Sequence, residues 1–98
     1  MTRPTPKMRE AMKTAIVGDD VYRDDPTINT LQEEVAKMFG KEDSLFVPSG
    51  TMSNLISMMV NCRNKGEGAI LGHLSHIYYV ERGNISAVGS IHPIVVRN

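Results

Sequence analysis

Leu45-Phe46-Val47-Pro48-Ser49-Gly50-Thr51-Met52-Ser53-Asn54 sets a short apolar run directly against small hydroxyl residues and a glycine. Three apolar residues closed by a proline predict a short buried strand, Leu45 to Val47, because proline has no N–H with which to extend a ladder. From about Ser49 to Cys62 the spacing predicts a helix with Met52, Leu55, Ile56, Met59 and Val60 on one side. That helix is apolar over much of its circumference, as in helices packed on more than one face. A strand that turns a corner into a helix is a unit of α/β organisation. The corner, Ser49-Gly50-Thr51, gathers unsatisfied backbone N–H groups and the positive end of the helix dipole, which suits a phosphate. Gly50 would let an oxygen approach the backbone closely, and the hydroxyls of Ser49 and Thr51 add donors. Simple helix capping by Ser49 is the plainer reading of the same residues.

Upstream, Thr5 is an N-cap with Pro6 at the first helical position, and Met8, Ala11, Met12 and Ala15 then share a face, so a helix is predicted to run on to Gly18. Gly18 to Pro26 is rich in turn formers and acids and predicts a loop, with Asp19, Asp20, Asp24 and Asp25 as solvated carboxylates. Thr27 is the predicted N-cap of a second helix in which Ile28, Leu31, Val35, Met38 and Phe39 form a stripe. Gly40 supplies a residue that accepts positive φ after its last turn. Downstream, Asn64 to Gly68 predicts a polar turn and Ala69-Ile70-Leu71 a second strand. His76 to Glu81 predicts a short helix with Ser75 as its N-cap and Gly83 as its stop, and Ile94-Val95-Val96 a third strand. Short strands alternating with helices predict an α/β fold whose helices pack on an incomplete parallel or mixed sheet.

The 98 residues are 41% hydrophobic, 22% charged and 5% aromatic, which excludes the fibrous and disordered classes and leaves room for one domain at most. Eleven basic side chains balance eleven acidic ones, so no net field exists to hold nucleic acid. Apolar runs are far shorter than the roughly 20 residues that cross a bilayer, and no membrane partner is expected. Met1 to Glu10 alternates charge, proline and threonine instead of forming a signal peptide, and Cys62 has no other cysteine to pair with; a cytoplasmic location is expected. Seven methionines against two phenylalanines and no tryptophan predict a soft core.

Other chemistry finds less support. There is no phosphate-loop or dinucleotide glycine pattern, and Val47 stands where the first glycine of a nucleophile elbow belongs. His73 and His76 are three residues apart, but with His92 as the remaining histidine no third ligand has supporting spacing, and no metal is expected. The aspartates around residue 20 lack the alternation of a calcium loop. A Ser49–His76–Asp20 triad has no spacing argument behind it. His76, just after a strand, could lie flat on a cofactor ring, although a surface histidine at a helix start is the plainer reading.

Taken in order, Pro-Thr-Pro-Lys-Met-Arg-Glu-Ala-Met (4–12), Val-Gly-Asp-Asp-Val-Tyr (17–22), Asp-Pro-Thr (25–27), Phe-Val-Pro-Ser-Gly-Thr-Met-Ser-Asn (46–54), Ile-Leu-Gly (70–72) and Ser-His-Ile-Tyr-Tyr-Val-Glu (75–81) resemble the start of the low-specificity L-threonine aldolases. Each motif is weak alone; the ordered set is specific. The resemblance implies a pyridoxal-phosphate lyase of the aspartate-aminotransferase fold that cleaves L-threonine, L-allo-threonine and related β-hydroxy amino acids to glycine and an aldehyde. It implies that Ser49, Gly50 and Thr51 bind the cofactor phosphate and that His76 stacks on the pyridine ring near the substrate hydroxyl as the catalytic residue. It further implies a homo-oligomer, dimer or tetramer, in which residues 1–26 form an N-terminal helix and a dimer-interface loop, and residues 27–98 begin the cofactor-binding large domain.

Some expected parts have no counterpart. No lysine among Lys7, Lys13, Lys37, Lys41 and Lys65 matches the family's cofactor-tethering lysine, and the family's ring-nitrogen acid falls beyond the position of Asn98. The family's opening Arg-Ser-Asp-Thr is absent ahead of Met1, and Arg23 and Ser53 stand where glycine is common. The resemblance therefore predicts a truncated N-terminal portion, inactive alone. The rival expectations are a non-catalytic fragment that docks on a full-length homologue and an independent phosphate-binding module.

Overall fold

Residues 3–97 are described by a computed structural model, and they divide into two units, one running through Phe46 and the other beginning at Val47.

Polar capping holds the first unit together more than apolar burial does. Helix α1 (Pro6–Thr14) starts as predicted: the Met8 N–H donates to Thr5 Oγ1 at 3.2 Å, and the Thr5 N–H reaches back to the Met8 sulfur at 3.4 Å. It stops at Thr14, short of the predicted end at Gly18, because Ala15 turns extended at ψ 133° and the Thr14 hydroxyl bonds back to the Glu10 carbonyl. Gly18 serves a different purpose, since a Cβ there would collide with the Asp24 carbonyl. A single 3₁₀ turn, Asp20–Tyr22, interrupts the predicted loop; Asp19 caps it, and Arg23 closes it in the left-handed region at φ 58°.

Helix α2 (Pro26–Phe39) ends at Gly40, φ 61°, as the glycine predicts, but its N-cap is Asp25 and not Thr27. Proline at the first helical position places the cap one residue ahead of it. Asp25 Oδ1 accepts from the Ile28 N–H at 2.9 Å and Oδ2 from the Gly18 N–H at 3.1 Å. The solvated aspartate expected here is therefore buried, with 5% exposure, because both oxygens have backbone donors. Thr27 instead donates its hydroxyl to the Ile16 carbonyl at 2.6 Å. On the predicted stripe, Ile28 and Val35 are half-buried and Leu31, Met38 and Phe39 exposed, while Ala36 is buried.

The predicted strand Leu45–Val47 does not form. A strand needs a ladder partner, and here the Phe46 N–H is taken by the Gln32 side-chain oxygen at 2.9 Å while Ser44 Oγ donates to the Gln32 carbonyl at 2.7 Å. The segment is pinned to α2 as irregular chain.

The second unit is a βαβ arrangement. Helix α3 (Gly50–Asn61) precedes strand β1 (Gly68–Gly72); the short helices α4 (His76–Tyr79) and α5 (Asn84–Ala87) follow, and strand β2 (His92–Val96) pairs with β1 in parallel. The register runs from Gly68 opposite His92 to Gly72 opposite Val96. The predicted α/β organisation is present, with two strands in the sheet and not three. Ala69, Ile85 and Ile91 form the buried centre, and Leu55, Met58, Cys62, Leu71 and Ile77 pack against it. The inward face of α3 is thus Leu55, Met58 and Cys62, at steps of three and four; of the predicted stripe Leu55 packs inward and Ile56 is half-buried, while Met52, Met59 and Val60 are exposed. A helix apolar over much of its circumference offers more than one stripe, and contact with α5 and the buried centre selects one. Helix α5 had no periodic signal in four residues; it forms because Gly83, at φ 76°, turns the chain and Ile85 drops into the core. No helix among the described residues is long and apolar enough to cross a membrane.

Candidate functional site

The corner Ser49-Gly50-Thr51 is the start of α3. Ser49 is extended at φ −151°, ψ 151°, and caps α3: its Oγ accepts from the Met52 N–H at 3.2 Å and its carbonyl from the Ser53 N–H at 3.1 Å. Being in the first turn, the Gly50 and Thr51 N–H groups have no intrahelical acceptor. All three residues are exposed, and a Cβ built on Gly50 would meet no atom within 4 Å, so the approach to this corner is open. The capping and phosphate readings of Ser49 are compatible, because its lone pair faces Met52 while its O–H remains able to donate. The open approach, the free N–H groups and the flanking hydroxyls suit a phosphate group.

His76 opens α4, with Ser75 at the N-cap position. The Ser75 hydroxyl makes no cap bond and is buried without a partner among the described residues. The imidazole is 63% exposed, and its Nδ1 lies 3.0 Å from Oε1 of Glu81, whose side chain is 1% exposed. The same Oε1 accepts from Asn54 Nδ2 on α3 at 2.7 Å, whereas Glu81 Oε2 is buried and unpartnered among the described residues.

Glu81 therefore bridges α3, whose first turn holds Gly50 and Thr51, and α4, which carries His76. Sequence reading passed over both Asn54 and Glu81. The only available signal was a carboxylate five positions after a histidine that opens a short helix, which is indistinguishable from a solvated glutamate until tertiary packing buries it. The carboxylate that His76 meets is Glu81.

Two carboxylates are held below their ordinary range. Asp25 is lowered chiefly by the Ile28 N–H and next by that of Gly18; Glu67 is lowered chiefly by the Asn64 side-chain amide, 2.6 Å from its Oε1. Both serve turns and helix starts. No group of three or more His, Cys, Asp or Glu side chains among the described residues is arranged to hold a metal ion. All five lysines are exposed.

Comparison with known proteins fits this geometry. The family model for beta-eliminating lyases matches residues 1–98. Low-specificity L-threonine aldolase 1 of Arabidopsis thaliana is 57% identical over the whole chain, which spans 27% of that protein's length. Low specificity L-threonine aldolase of Escherichia coli strain K12 is 47% identical over 95% of the chain and 28% of its own length. The protein of that name from Saccharomyces cerevisiae is 33% identical over 99% of the chain and 26% of its own length. The chain thus spans about a quarter of these curated relatives. A match along every residue, at this identity, establishes that the chain belongs to the beta-eliminating lyase family.

Proposed function

We propose that this chain supplies the phosphate cradle and the ring-stacking histidine of a threonine aldolase-type, pyridoxal-phosphate-dependent lyase, which cleaves L-threonine and L-allo-threonine to glycine and acetaldehyde. In this reading it is the opening part of the large domain of an aspartate-aminotransferase-like fold. Residues 1–26 provide an interface helix and loop, 27–98 begin the cofactor-binding domain, and the working unit is a cytoplasmic homo-oligomer. The observation that carries it is the open corner at the start of α3, which retains free N–H groups at Gly50 and Thr51.

Ser49, Gly50 and Thr51 would hold the phosphate through two backbone N–H groups and two hydroxyls, aided by the helix dipole. His76 would offer its exposed ring face to the pyridine and its Nε2 to the substrate hydroxyl. When bound, pyridoxal phosphate supplies an electron-withdrawing ring that allows the Cα–Cβ bond of a β-hydroxy amino acid to break. In this reading His76 Nε2 would take the hydroxyl proton, and the contact of Nδ1 with Glu81 supports that role. None of the five exposed lysines matches a tether for the cofactor, so the chain alone is expected to bind without turning over.

Titrating the full chain with pyridoxal phosphate and with pyridoxal tests this by absorbance. The phosphate ester should bind more tightly, and Thr51→Ala should weaken it about tenfold, the worth of a hydrogen bond to a charged group. Equal binding of the two compounds, or none, would refute the cradle. Borohydride should leave no covalent adduct, and a stable adduct would overturn the claim of inactivity. A second reading, docking on a full-length homologue, draws on exposed Met52, Met59 and Val60 of α3.

A further inference from the structure

From the shared contact at Oε1 we infer that Glu81 is the positioning residue for His76: it holds the proton on Nδ1, keeps Nε2 as the free lone pair, and ties the ring to the phosphate-cradle helix through Asn54. The inference deepens the reading of His76 given above and rests on it for its functional meaning, but not for its geometry.

Three observations carry it. First, one carboxylate oxygen accepts from the Asn54 amide at 2.7 Å and lies 3.0 Å from Nδ1 of the His76 ring. Asn54 Nδ2 can only donate, and a carboxylate oxygen accepts, so the proton between Glu81 and the ring sits on Nδ1. Neutral imidazole has one N–H, which leaves Nε2 unprotonated on a ring that is 63% exposed. Second, Glu81 is a poor choice for a merely structural filler. Its side chain is 1% exposed and its Oε2 has no partner among the described residues, a costly arrangement that an apolar side chain of similar size would avoid. Third, the Asn54–Glu81 contact spans 27 residues of sequence and ties α3 to the turn that follows α4. Asn54 lies three residues after Thr51, one turn further along α3, so the link fixes the ring relative to the corner that would hold an anionic ligand. An orienting partner on the second nitrogen of a working histidine sets both tautomer and ring direction.

The test is a long-range proton–nitrogen correlation spectrum of the full chain labelled with nitrogen-15 histidine, recorded above the ordinary imidazole range near pH 6.5. His76→Gln assigns the signal among the three histidines. Wild type should show His76 as the Nδ1–H tautomer. Glu81→Gln, whose amide oxygen can still accept, should keep it, and Glu81→Leu should lose it in favour of Nε2–H. A wild-type Nε2–H tautomer, a free-histidine pattern, or identical spectra for wild type and Glu81→Leu would overturn the inference. The wild-type spectrum decides even if Glu81→Leu fails to fold. A chain that shows the Nδ1–H tautomer yet binds no pyridoxal phosphate would sink the cofactor reading and leave the role of Glu81 standing.

Discussion

Asp25 carries more of the first unit than any apolar side chain does. It caps α2 through the Ile28 N–H and holds the Gly18 N–H with its other oxygen. These backbone donors lower its pKa against the opposing effect of burial. A carboxyl whose folded-state value is lowered contributes stability above its ordinary value, about 3.9, and that stability is lost as pH falls through the folded value. Helicity followed by circular dichroism should therefore melt at lower temperature below about pH 4. Glu67 adds a slope of the same sign, so Asp25→Asn should flatten the dependence without abolishing it; an unchanged slope would remove Asp25 from the account. Arg23 bears strain instead. It sits at φ 58° with its N–H on the Asp20 carbonyl and its own carbonyl accepting from Asn29 Nδ2 at 2.8 Å. A side chain in the left-handed region costs about 1 kcal/mol, and neither backbone bond needs the side chain. Arg23→Gly should raise the free energy of unfolding by about that amount, read as a higher denaturant midpoint, and a lower midpoint would show the guanidinium does more than the backbone implies.

At the scale of elements, the second unit depends on the short crossover between its strands. Helix α5 is four residues long and has no propensity to stand alone, yet Ile85 on it is 1% exposed and packs with Ile91 and Ala69. Ile85→Ala should cost about 2–5 kcal/mol, the range for truncating a buried aliphatic side chain, readable as loss of the cooperative denaturation transition of a unit this small. Gly89 stands where α5 turns toward β2, and a Cβ there would lie 2.7 Å from the Ile85 carbonyl oxygen and 3.2 Å from Ile91. Gly89→Ala is expected to destabilise, because the nearer obstacle is backbone and cannot rotate away. A Gly89→Ala chain of undiminished stability would show that α5 can shift. Helix α3 has two roles on one cylinder: its inward stripe builds the core, and its first turn presents the candidate corner.

For the molecule as a whole, the notable quantity is the apolar surface left in water. Ile70 on β1 is 73% exposed, Met38 78% and Val17 76%, and β2 ends in exposed Val95 and Val96. Such surface is characteristic of interfaces, and sedimentation is expected to show association above the 10.9 kDa of one chain; a monomer at every concentration would count against docking and oligomer readings alike. What the sequence alone determined is local: the caps Thr5 and Ser49, the stop at Gly40, the helix on each side of Pro48, and the motif order that marks the family. The caps, the stop and the helices depend on hydrogen bonds between residues a few positions apart, which the one-dimensional pattern contains. Tertiary structure decided which stripe of α3 faces inward, that Leu45–Val47 would be pinned by Gln32 instead of pairing as a strand, that Asp25 would be buried, and that Asn54, His76 and Glu81 would meet. Each of these turns on burial or on a partner distant along the chain, so its outcome exists only once the pieces have packed.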